Sequence, residues 1–128
     1  MISDDDRTTD IGLMNYGWAY VRAGEHLQAS QDSGEVGLWF SAPIEMLAGH
    51  SFELLFKSFL KFKGTTLNDL KKRKEFGHSL QGLMKECEKN GLALGLSPEE
   101  SSHFYILDSR HGSPNYEARY IRTGSKPA

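Results

Sequence analysis

The stretch from residue 44 to residue 62 constrains this chain more than any other. It holds Ile44, Leu47, Phe52, Leu54, Leu55, Phe56, Phe59, Leu60 and Phe62. Wound as an α-helix, these residues cover most of its circumference, and such a helix belongs at the centre of a core. Ser41 is the expected N-cap, and Pro43 falls in the first turn, where its missing N–H costs little. The helix is expected to run to about Lys63, with Gly64 ending it. The polar residues on so apolar a helix carry information. His50, Glu53 and Lys57 are spaced three and four apart, so they share one face. One reading is a solvent stripe with a Glu53–Lys57 pair worth a few tenths of a kcal/mol. The other is a polar groove at a helix–helix or subunit seam. There the imidazole, carboxylate and ammonium would hold one another and a ligand phosphate.

Local punctuation predicts three more main helices. Asp10 is the expected N-cap of a first helix over residues 11–30, with Leu13, Met14, Trp18, Val21 and Leu27 on one apolar face. Gly12, Gly17 and Gly24 each weaken it by up to about 1 kcal/mol relative to Ala, so packing must hold it. Asp32-Ser33-Gly34 reads as a turn, and Leu38, Trp39 and Phe40 are expected to cover the bundle end. Residues 64–77 form a polar connection, with one turn of helix after Thr66. A third helix over residues 78–90 carries Leu80, Leu83, Met84 and Cys87 and closes at Asn90-Gly91. Ser97-Pro98-Glu99-Glu100 has the form of a capping box. It opens a fourth helix to about Arg110, with Phe104, Tyr105, Ile106 and Leu107 as its apolar content. His111-Gly112-Ser113-Pro114-Asn115 breaks it. The expectation is an all-α, antiparallel up-and-down bundle of four main helices. Residues 1–9 form a flexible acidic start, residues 10–128 one domain, and residues 112–128 an extended or irregular tail.

The composition excludes several function classes. Hydrophobic content of 38% and charged content of 25% suit a globular protein with a modest core. A net charge of −2 gives no global basic signature for nucleic acid. The single cysteine, Cys87, excludes an intramolecular disulfide framework and fits a reducing cytosol, so a cytoplasmic location is expected. No apolar run approaches the roughly 20 residues that span a bilayer, so no membrane partner is expected. The charge is unevenly spread, however. Residues 1–56 hold two basic and nine acidic side chains, whereas residues 57–74 hold seven basic ones against Asp69 alone. A local positive field follows.

Two further groups carry candidate chemistry. Arg73 and His78 form an Arg-x4-His pair. Arginine grips phosphate bidentately, and histidine can take the proton of an RNA 2′-hydroxyl near neutral pH. Together they are candidate catalytic residues for metal-free RNA cleavage. Alternatively, His78 simply caps a helix start. Arg119, Tyr120 and Arg122 place two cations around a ring that can bind phosphate and stack a base, or pin the tail to the bundle. The five histidines show no recognised metal spacing, and there is no phosphate-cradling glycine loop. Neither a metal nor a cofactor is expected.

The run Ala48-Gly49-His50-Ser51-Phe52-Glu53-Leu54-Leu55-Phe56-Lys57-Ser58-Phe59-Leu60, followed by Gly64, resembles the central helix of HEPN-domain proteins. Phe76-Gly77-His78-Ser79-Leu80 is similar to the family's Gly-His-x-Leu opening of the next helix. Ala118-Arg119-Tyr120-Ile121-Arg122 resembles the Arg-Tyr segment after the fourth helix of many bacterial members. The likeness covers residues 11–122. It implies a helical bundle, often a homodimer, engaged with RNA or nucleotides. It also implies toxin–antitoxin or phage-defence settings, with an antitoxin or a nucleotidyltransferase as partner. Some such members are metal-independent ribonucleases with Arg-x4-6-His on a later helix. Here the pair of that form, Arg73 and His78, stands at the start of the third helix. The readings carried forward are a non-catalytic binding and dimerising module, a toxin-type endoribonuclease, and a purely structural helical protein.

Overall fold

A computed structural model describes residues 8–37, 42–72 and 79–111 of the chain. Its helices are α1 (Asp10–Asp32), α2 (Ala42–Phe62), α3 (Leu67–Lys72), α4 (Leu80–Lys89) and α5 (Pro98–His111). No strand occurs among the described residues. The expected one-turn segment after Thr66 is α3, opened by the Thr66 hydroxyl, which accepts from the Asp69 N–H at 3.1 Å.

Several boundaries differ from the sequence expectation, each for a local reason. Thr9, not Asp10, caps α1. Its backbone is extended (φ −99°, ψ 157°), and its hydroxyl accepts from the Gly12 N–H at 2.9 Å. Asp10 is already helical, one residue inside. The third main helix starts at Leu80 rather than 78, because the Ser79 side chain caps Gly82 N–H. The turn after Asp32 and the stop at Gly64 stand where expected, both glycines having positive φ (+83° and +104°). At the end of α2 the Thr65 N–H reaches back to the Leu60 carbonyl at 2.9 Å, satisfying an otherwise orphaned acceptor. The capping box forms reciprocally: Ser97 N–H donates to Glu100 Oε1, and Glu100 N–H donates to Ser97 Oγ, both at 3.1 Å. The expected Ser41 cap and the Leu38-Trp39-Phe40 cover lie outside the described residues.

The core is small. Phe56 and Leu60 of α2 meet Leu70 of α3, Leu80, Leu83 and Cys87 of α4, and Phe104 of α5. The apolar segment singled out first is thus the helix on which the others pack. Each such side chain contributes about 1.5–3 kcal/mol by leaving water. The rings of Phe52 and Phe104 meet edge to face at 5.2 Å, joining α2 to α5.

α1 relates differently to the rest. It packs chiefly on α2 and runs opposite to it. The Ser58 hydroxyl donates to the Asp10 carbonyl at 2.7 Å, Gly17 lies against Leu55, and Gly24 lies beside Leu47. A Cβ at Gly17 would come within 2.8 Å of the Leu55 side chain, so the glycine sets how closely the helices approach. The contact line therefore runs through Gly17 and Gly24, and of the expected apolar face Leu13, Val21 and Leu27 are half-buried while two residues are not. Met14 and Trp18 are turned outward, 40% and 52% exposed. No described helix is long and apolar enough to cross a membrane.

Candidate functional site: a buried polar knot on the central helix

An acid in the middle of an apolar helix must find partners or be expelled, since burying an unpaired carboxylate costs several kcal/mol. Glu53 is buried, and each of its oxygens is engaged. Lys57, one turn later on α2, places Nζ 3.0 Å from Oε2. His111, the last residue of α5, places Nε2 2.8 Å from Oε1. The carboxylate can only accept, so the His111 Nε2–H donates.

The fully buried His111 ring lies over Gly49, one turn before Glu53. A Cβ on Gly49 would meet the ring at Cγ (2.8 Å) and, closer still, at Nδ1. Only glycine leaves room for the imidazole there. His50 meets the same ring edge-on at 5.7 Å and stacks on Tyr20 of α1 at 5.2 Å. Beside the knot, both Nη1 contacts of Arg110 go to the Glu45 carboxylate, one at 2.7 Å. Two helices, α1 and α5, thus converge on one line of α2.

The structure brings together His50, Glu53 and Lys57 as neighbours of this knot. The solvent-stripe reading fails for Glu53, which is 5% exposed. Arg73, His78, Arg119, Tyr120 and Arg122 lie outside the described residues. His111, expected as part of a helix breaker, is instead the final helical residue and the acid's partner. Tyr20, Gly49 and the Glu45–Arg110 pair were not singled out either. The usable signal was the acid itself: a carboxylate on an apolar helix requires a donor from another element, and His111 is a donor at a helix end.

The chemistry open to this arrangement is limited by access. A general base must come within hydrogen-bond reach of the proton it removes. His111 is closed to solvent, and Glu53 is held on both oxygens. The outward parts are the edge of Lys57, whose side chain is 18% exposed, and the half-buried His50–Tyr20 stack. Among the described residues no group of three His, Cys, Asp or Glu side chains could hold a metal ion.

Comparison with protein-family models, with curated proteins and with solved structures finds no match to this chain.

Proposed function

We propose that the chain is a HEPN-like helical module that acts by binding and association. In this reading α1, α2, α4 and α5 form an antiparallel up-and-down bundle. The bundle dimerises and engages a nucleotide or RNA, or a partner protein such as an antitoxin or a nucleotidyltransferase, in a toxin–antitoxin or phage-defence setting. The observation that carries the binding reading is the internal engagement of Glu53 and His111, which anchors the polar rim beside them. Their role is to fix α5 on α2, and they leave a shallow rim of Lys57, His50 and Tyr20. A rim of ammonium and stacked rings can meet a phosphate and a base face. The ordered motifs along residues 11–122 support the family reading.

The test is incubation of the purified chain with mixed RNA and a chelator, with anisotropy of labelled single-stranded RNA read in parallel. The expected result is intact RNA together with salt-sensitive binding that Lys57→Ala weakens and Lys57→Arg retains. Cleavage that disappears in both His78→Ala and Arg73→Ala would replace this reading with the metal-independent ribonuclease.

A further inference from the structure

The side of α1 facing away from the polar knot is apolar and open. Ile11, Met14 and Trp18 line one wall of a groove of about 310 Å³, and Leu55, Phe59 and Phe62 of α2 line the other. Ile11, Trp18 and Phe62 are all more than half exposed. With Met14 they present on the order of 450 Å² of apolar surface, within the range of the largest patch on a typical monomer and over half of the roughly 800 Å² each partner gives to a standard interface.

We propose that this α1/α2 face is the seat of a second copy of the chain, packed about a two-fold axis that passes beside Trp18. This rests on the dimerising module proposed above and names its interface. The face carries a groove and, at its edges, the exposed Trp18 and Phe62 side chains. Charge then fixes the register. Around the α1 axis, Glu25 lies within about 40° of Trp18, as do Ile11 and Met14, so it continues the same stripe. At the other end, Lys63 stands over the Phe59 ring, its Nζ 5.6 Å from the centroid, at the rim of the groove. Phe62 lies level with Thr9 and Asp10, which share a cleft with it. Lys63 and Glu25 are therefore displaced by roughly 12 Å in opposite directions along the helices from Trp18.

A two-fold axis at Trp18 exchanges those ends. It brings Lys63 of one copy to Glu25 of the other, twice per dimer. A parallel packing of the two hairpins would instead set Lys63 against Lys63 and Glu25 against Glu25. An isologous interface requires this kind of self-matching pattern.

Sedimentation of the full chain, from nanomolar to high micromolar concentration, tests the proposal. The expected wild-type species at high concentration has twice the mass of one chain. Trp18→Glu is expected to remain a monomer with unchanged helical circular dichroism, and Ile11→Lys serves the same purpose should Trp18→Glu unfold. Glu25→Lys and Lys63→Glu each reverse two symmetry-related pairs and should weaken dimerisation about tenfold at low salt. Combined, they should return it to near the wild-type value. A strictly monomeric wild type overturns both this face and the dimerising part of the proposed function. A dimer indifferent to Trp18→Glu and Ile11→Lys overturns this face alone. A dimer broken by Trp18→Glu but not restored by the charge exchange overturns the two-fold register.

Discussion

Glu53 occupies a position that an apolar residue would fill at no desolvation cost. Removing a carboxylate from water costs several kcal/mol, and Lys57 and His111 together offset it. What the acid adds is register, since His111 reaches Oε1 only at the depth where its ring passes over Gly49. Removing one partner should therefore cost more than replacing the pair. His111→Ala leaves a buried acid short of a donor and opens a cavity, so a loss of about 2–3 kcal/mol is expected in urea unfolding. Glu53→Leu combined with His111→Leu should recover part of that loss. A coupling energy of at least about 1 kcal/mol is expected between the sites, and strict additivity would show that they do not interact. Cys87 shows the opposite case of a group with no charged state to support. Burial, then the nearby Glu86 and Glu88, push its thiol up to about 12, and Sγ donates to the Phe56 carbonyl at 3.5 Å. Alkylation of the native protein at pH 8 should thus follow the opening of the α2–α4 contact. Its rate should rise with urea and approach that of a model thiol only in the unfolded chain.

The helices differ in how much of their stability is local, and so in how legible they are in the sequence. α5 is announced by Ser97 and Glu100, because both partners of the capping box lie within one turn. The Glu100 carboxyl is held below the usual carboxylate range by the Ser97 N–H and by the Ser97 side chain. A carboxyl whose folded value is depressed adds stability above its unfolded pKa, and that stability fades as pH falls through the folded value. The melting temperature of the wild type relative to Glu100→Gln should therefore shrink below the normal carboxylate range and be constant near neutrality. An unchanged difference across that range would exclude the ionised cap. Ser97→Ala should cost about 1 kcal/mol at neutral pH. The Glu53–Lys57 half of the knot was legible for the same reason, being one turn apart. Its other half was not, because His111 is distant in sequence and sits where glycine and proline announce only an ending. The orientation of α1 is only partly legible for a related reason: Leu13, Val21 and Leu27 of its apolar face are half-buried, whereas Met14 and Trp18 are exposed. Its apolar residues mark a face, but Gly17 and Gly24 decide which line of the helix touches α2, and a glycine carries no hydropathy signal.

α1 is long but has one principal neighbour, whereas α2 is packed on several sides. A helix covered along one line keeps much of its apolar surface in water, and isolated helices gain little from propensity alone. Gly12, Gly17 and Gly24 lower that propensity further. If a second copy covers the outward stripe, part of the stability of α1 belongs to the dimer and depends on concentration. Association that favours the folded state raises the unfolding temperature with protein concentration. For a chain of this size, a hundredfold increase should raise the midpoint by a few degrees. Trp18→Glu should remove that dependence, leaving a midpoint equal at all concentrations. Amide exchange should then localise the difference. Protection in α1 should fall in the variant while that of α2 and α4 changes less, since their cover is the intramolecular core. A wild-type midpoint independent of concentration, with α1 as well protected as α2, would mean that the single line through Gly17 and Gly24 is enough to hold it.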